Sequence, residues 1–215
     1  MSQPTINSKY ALSLIDVVFG VVIAIPLLEL PVIILQLIQE PSYQDVTRIL
    51  LLVSSLLFCC FYWLEIHEYL AAQDRLNELL KIQVDHEITP KQSRVFLGGI
   101  VMITALAATL KYAELGAMRE FLIANIIFWI FDMLGTREIK AHYKRYKYEI
   151  LRFKKSHKEV YEWYDKRIIS PYYWNYGLVN TLFFSGALVL FLFIFEKSNM
   201  FGICFGSILL IVTPM

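Results

Sequence analysis

The chain has 215 residues, of which 57% are hydrophobic and 18% are charged, and its formal net charge is +1. Soluble domains contain about 45–50% apolar and about 25% charged residues, so this composition is typical of a membrane protein. The nearly balanced charge gives no reason to expect nucleic-acid binding. Three cysteines, Cys59, Cys60 and Cys204, lie in apolar runs without the spacing of a disulfide framework.

The apolar segments predict the fold class. A helix of about 20 apolar residues crosses the hydrocarbon core of a bilayer. Six segments approach this length and are predicted to span the membrane: 11–38, 49–71, 95–113, 115–135, 172–195 and 200–215. The last segment is short for a full span. The chain is therefore predicted to be an all-α, multi-pass integral membrane protein with six transmembrane helices per subunit, in the plasma or inner membrane if its source is prokaryotic.

The basic residues predict the orientation. With six spans, the N-terminus and the segments 72–94 and 136–171 lie on one side of the membrane, and they hold 16 of the 20 Lys and Arg residues. Because such residues concentrate in cytoplasmic loops, both termini are predicted to be cytoplasmic. The expected organisation is four helices in 1–135, a cytoplasmic segment in 136–171, and two helices in 172–215.

The 136–171 segment has a helical pattern of its own. Apolar and aromatic residues recur there at alternating spacings of four and three, broken only by His157: Ile139, Tyr143, Tyr146, Ile150, Phe153, His157, Val160 and Tyr164. This heptad stripe predicts one long cytoplasmic helix between spans four and five. Three surroundings fit the stripe: its own subunit, a neighbouring subunit, or a membrane surface. The membrane surface is supported by the charge of the 137–167 range, which contains eleven basic and five acidic residues and would attract anionic lipid.

Two ionisable residues lie inside predicted spans. Asp16 is near the start of the first span, and His67 follows Trp63 by four residues near the end of the second. Ionisable groups are costly to bury in a bilayer and normally face protein or water. Antiparallel neighbouring helices would bring Asp16 and His67 to a similar depth. Asp16, Trp63 and His67 are therefore predicted to form a polar contact within one subunit, although each could instead be solvated near the headgroups.

An all-apolar stripe runs along the first span. Val21, Ile25, Leu28 and Val32 are spaced four, three and four residues apart and share one helix face, nearly opposite Asp16. Lipid or a neighbouring helix could cover this face. Alternatively, the stripe could form a narrow apolar constriction on a symmetry axis, which closes a pore by excluding water. Periodicity does not choose between these surroundings.

The first two spans resemble the transmembrane protein 175 family of lysosomal and prokaryotic potassium channels, over about residues 10–70. Asp16 matches the aspartate that opens the family's first helix, and Leu28-Glu29-Leu30 follows in register. Trp63 and His67 match the tryptophan and second histidine of the family's second helix. Four positions depart from the family pattern: Tyr10, Leu14, Ile15 and Ile66 replace its Arg, Phe, Ser and first His.

The resemblance implies a function. In the family, four six-helix subunits surround an axis lined by their first helices, and the constriction carries over to Val21, Ile25 and Leu28. The expected function is an oligomeric, tetrameric cation channel permeable to potassium, with no cofactor or bound metal apart from the permeant ion. The expected partners are other copies of the chain and the bilayer.

Two further functions compete with the channel. One is a non-conducting membrane scaffold or receptor that acts through the cytoplasmic helix. The other is a transporter that uses Asp16, His67 and Asp132. In the fourth span, Asp132 and Asn125 share a face, which predicts a polar contact between helices or part of a permeation path. No catalytic triad or phosphate-binding loop occurs, so enzyme activity is not expected.

Overall fold

The structure, a computed structural model, describes residues 8–80, 90–166, 172–195 and 199–212. Within these ranges the chain forms eight α-helices, which confirms the all-α prediction. Their bounds are α1 Ser8–Gln39, α2 Tyr43–Leu79, α3 Pro90–Leu115, α4 Met118–Tyr143, α5 Lys147–Ser156, α6 Lys158–Tyr164, α7 Tyr172–Leu190 and α8 Asn199–Val212. A 3-10 turn, Lys144–Tyr146, follows α4, and a π-helical turn, Phe191–Phe195, continues α7.

Three of the described helices are long and apolar enough to cross a membrane. The apolar stretches are Asp16–Gln39 in α1, Tyr43–Glu68 in α2 and Asn175–Phe193 in α7 with its π-helical turn. The prediction of a chain with several candidate membrane spans is confirmed in this form. Helices α3 and α4, at the positions of the third and fourth predicted spans, have 26 residues each, and α8 contains a shorter apolar stretch. The count of six spans stays a prediction.

Six helices share one apolar core. Buried side chains from α1, α2, α3, α4, α7 and α8 pack together around Leu52, Leu106, Leu122 and Phe128. Aromatic rings fill much of the space between α2 and α4, where the rings of Tyr62 and Phe128 meet edge to face at 4.9 Å. Burying a large apolar side chain stabilises a fold by about 1.5–3 kcal/mol in water. Inside a bilayer, close packing between helices takes over much of that role.

Contacts between helix ends show that the chain runs up and down through this bundle. At one end, Arg48 Nε at the start of α2 donates to the Glu114 carbonyl at the end of α3, at 2.6 Å. The start of α8 lies at the same end, where Gly202 packs closely against Thr47. A Cβ added to Gly202 would come within 2.5 Å of Thr47 Cγ2. At the other end, the start of α7 meets the second half of α4, where Gly177 lies against Met133. Glycine permits these close backbone approaches.

The turn between α3 and α4 depends on Gly116. This residue has a φ of 67°, in the left-handed region that glycine adopts without steric cost. The Ala117 amide donates to the Tyr112 carbonyl at 2.9 Å, which completes the hydrogen-bond pattern of a helix that ends on a left-handed glycine. The predicted boundary between the third and fourth segments, at residues 113–115, lies at this turn.

The predicted single helix over 136–171 is wrong for its described part. Helix α4 ends at Tyr143, and after the 3-10 turn α5 ends at Ser156. His157, with φ −137° and ψ 65°, leaves the helical conformation before α6 begins. This is the position where the heptad stripe carries a polar residue. The chain turns here because folding α5 and α6 against each other lets the stripe bury itself on its own subunit.

A second, smaller core holds this α5–α6 hairpin. Leu76 near the end of α2 is fully buried against stripe residues from both sides of the break: Tyr143, Ile150, Val160 and Tyr164. Helix α2 reaches them because its 37 residues extend about 55 Å, well beyond the ~30 Å hydrocarbon core. Burial raises the pKa of the Tyr164 phenol, so its hydroxyl stays neutral at physiological pH. Of the three surroundings predicted for the stripe, the structure shows the first.

Candidate functional site: the first helix and its polar anchor

Helix α1 has two distinct faces. Phe19 and Ile33 on one face are almost fully buried against the rest of the bundle, and Pro26 lies between them. Asp16 is three residues before Phe19, so it lies on the packed side. The packed face therefore begins with a carboxylate at the end of the bundle where α2 leaves the core, and it continues as an apolar contact.

Asp16 is held by two side chains of α2. Trp63 Nε1 donates to Asp16 Oδ1 at 3.0 Å, and His67 Nε2 lies 2.9 Å from the same oxygen. The structure therefore brings together the three residues that the sequence singled out. The Asp16 side chain is 47% exposed, so water also reaches the carboxylate. Two donors from one helix on one oxygen of another restrict both the rotation and the sliding of α1 along α2.

Both ring nitrogens of the histidine in this anchor lie within hydrogen-bond distance of an oxygen. Its Nδ1 lies 3.0 Å from the Trp63 carbonyl one turn earlier, and the two rings are 4.4 Å apart. The carbonyl and the Asp16 carboxylate are both acceptors. Both ring nitrogens can therefore donate at the same time only when His67 carries both protons. In that charged form the contact with Asp16 is an ion pair as well as a hydrogen bond.

The other face of α1 is open. Val21 and Ile25 are each 55% exposed and Leu28 is 76% exposed, and Val32 continues the same row. These side chains point away from the bundle, because the Asp16 anchor and the Phe19 face hold the opposite side of the helix. A single chain leaves the predicted constriction residues uncovered, and it does not bring them near one another across an axis.

A second polar contact joins α2 to α4. Tyr62 Oη donates to Asp132 Oδ1 at 3.3 Å, next to Trp63 in sequence. Asn125, which shares a face with Asp132, donates instead to the Phe121 carbonyl one turn back, at 2.9 Å. Sequence reasoning missed Tyr62 because a tyrosine within an aromatic run resembles any other core residue. Its position beside Trp63 was the available clue.

A polar cluster at the opposite end was also missed. Arg48 bonds to Asp45 at 2.9 Å as well as to the Glu114 carbonyl, and Lys111 Nζ lies 2.7 Å from Glu114 Oε1. The bond from Arg48 to the Glu114 carbonyl ties the start of α2 to the end of α3, and the two ion pairs lie within α2 and α3 respectively. Among the described residues, no group of three or more His, Cys, Asp or Glu side chains is placed to hold a metal ion.

Comparisons with protein-family models, with curated proteins and with solved structures found no match to this chain. The class defined by the structure is an all-α protein with candidate membrane-spanning helices. The resemblance to the transmembrane protein 175 family stays a prediction that depends on the residues around Asp16 and His67.

Proposed function

We propose that the protein is an oligomeric cation channel, permeable to potassium, in which four copies of α1 surround the pore. The observation that carries this proposal is the exposed row of Val21, Ile25 and Leu28 on a helix whose opposite face is fixed to its own subunit. If the exposed row faces a fourfold axis, every subunit places the same residues toward that axis. The four copies of Val21, of Ile25 and of Leu28 would then each form one apolar ring.

An apolar ring provides a gate by simple physics. Water in a narrow apolar channel loses hydrogen bonds that the walls cannot replace, so the channel empties and ions cannot pass. Val21, Ile25 and Leu28 cover about two helical turns, or roughly 10 Å of pore length. We infer a resting state of low conductance. The channel would open when the rings widen or when water fills them.

We propose six membrane crossings with both termini in the cytoplasm. The alternation of helix ends supports this topology, and so does the excess of Lys and Arg on the side that carries the α5–α6 hairpin. The test is a cysteine at Lys155, in the hairpin, compared with a cysteine at Arg119, at the start of α4.

In intact cells, a membrane-impermeant maleimide should modify the Arg119→Cys protein and leave the Lys155→Cys protein unmodified until the membrane is opened. Cys60 and Cys204 are exposed and should first be replaced by serine. Modification of the Lys155→Cys protein in intact cells would show that the proposed orientation is wrong.

The channel itself is tested by potassium flux. When a potential is applied, potassium-loaded liposomes that contain the purified protein should release potassium faster than potassium-loaded liposomes without protein (empty vesicles), even if the resting rate is low. The rival scaffold, which acts through the cytoplasmic segment, predicts the empty-vesicle rate for every variant. The hairpin gives that rival little support, because the apolar stripe it would use is buried inside the subunit.

A further inference from the structure

Glu29 is an exposed carboxylate in the middle of an apolar helix. It lies within the candidate span Asp16–Gln39, thirteen residues after the anchor at Asp16. Within the described ranges, it makes no hydrogen bond or ion pair with any other residue. A carboxylate at this depth is costly against lipid, and such residues normally mark an ion pathway or a polar partner.

Glu29 is also the innermost member of a polar track. Gln36 follows it by seven residues on the same side of α1, and Glu40, the first residue after the helix, follows Gln36 by four and donates its amide to the Gln36 carbonyl. All three side chains are exposed, and Gln36 Oε1 lies 3.5 Å from Arg48 at the start of α2. The track therefore leads from the end of the bundle opposite the Asp16 anchor down to the middle of the span.

The track meets the apolar stripe where Glu29 follows Leu28. The predicted constriction residues Val21, Ile25 and Leu28 lie on the Asp16 side of this point. Gln36 and Glu40 lie on the other side, as does Val32, which continues the apolar row. Glu29 is turned away from Leu28 by about 100° around the helix, so in a ring of α1 helices it lies beside the axis, between neighbouring copies. This position is at the mouth of the proposed constriction.

We propose that Glu29 forms a binding site for monovalent alkali cations such as potassium, at the outer mouth of the constriction. The proposal rests on the channel proposed above. Each copy contributes one carboxylate, and rings of acidic side chains select cations in other channels. A negative ring in a low-dielectric wall also raises the local cation concentration, typically by about tenfold or more.

The first test measures flux in the Ile25→Asn background, where the constriction is expected to be wet. Adding Glu29→Gln should lower potassium flux about tenfold at an ionic strength of about 0.01 M, where the Debye length is ~30 Å. At about 1 M, where screening acts within ~3 Å, the two proteins should differ much less. Glu29→Asp should keep most of the flux, since it keeps the charge.

The matched control is Glu68→Gln. It removes the exposed carboxylate of the last residue of the α2 candidate span, at the end of the bundle opposite the start of the polar track. It should leave low-salt potassium flux unchanged. If Glu29→Gln and Glu68→Gln behave alike in a conducting Ile25→Asn protein, the cation site is wrong and the channel proposal stands.

The second test needs no conduction. At constant ionic strength, replacing choline by potassium should raise the Tm of the wild-type oligomer, because a bound ligand stabilises the folded state. The Glu29→Gln protein should lose this rise, and Glu68→Gln should keep it. A potassium-dependent Tm without any flux would overturn the channel and keep the site. The same Tm response in wild type and Glu29→Gln would overturn the site.

Discussion

Replacing Ile25 by asparagine is expected to raise potassium flux through the reconstituted protein by about ten- to hundredfold. Ile25 is the middle one of the three predicted constriction residues on α1, so its ring would control whether the constriction holds water. An amide offers hydrogen bonds to water and lowers the barrier of the dry state. A barrier lower by about 1.4–2.8 kcal/mol corresponds to this rise in rate. Potassium efflux from liposomes measures the change.

The matched control for this change is Val179→Asn on α7. Val179 is 61% exposed, compared with 55% for Ile25, and it is also an apolar residue within a candidate span. A polar residue there faces the surroundings of the bundle and opens no path through it, so flux should stay at the wild-type level. If both variants leak equally, the leak reflects damage to the bundle. If Ile25→Asn stays at the empty-vesicle rate, the channel proposal fails.

Replacing Asp16 by alanine is expected to lower the free energy of unfolding by about 1–2 kcal/mol. The change removes the acceptor for both Trp63 and His67. A hydrogen bond to a charged group contributes about 1.5–3 kcal/mol, and the 47% exposure of Asp16 places the loss toward the lower end. Unfolding of the detergent-solubilised protein, followed by circular dichroism, gives the difference.

Two controls separate the anchor from a general loss of charge. Glu29→Ala removes a carboxylate from the same helix that makes no bond within the described part of the subunit, so it should cost less than Asp16→Ala. In a double-mutant cycle, Asp16→Ala and His67→Ala should be less than additive, with a coupling of at least about 0.5 kcal/mol. Strictly additive losses would show that the two residues act separately.

The anchor and the channel proposal are physically connected. Asp16 on the packed face restricts the rotation of α1, and this rotation decides which residues face outward. If the anchor is lost, α1 can turn about its axis, and the rows of Val21 and Glu29 change their orientation together. An Asp16→Ala protein that still assembles should therefore show altered flux as well as lower stability.

Much of the architecture was predictable from local patterns. Long apolar segments determine candidate spans because a bilayer demands length and apolar character, and both are visible in composition. The contact of Asp16 with Trp63 and His67 was predictable because polar groups in apolar helices have few acceptable surroundings. The same reasoning favoured protein around Asp132, although it did not identify Tyr62 as the partner.

The remaining features were decided by tertiary structure. An apolar stripe is compatible with lipid, a neighbouring helix or a second subunit, since all three offer similar surroundings. Only the folded chain shows that Ile150 and Tyr164 turn inward onto Leu76, whereas Ile25 and Leu28 stay uncovered. The break at His157 follows from the same cause. The residue pattern specifies which helix faces are apolar, whereas the packing of segments far apart in the chain selects which of those faces the subunit buries.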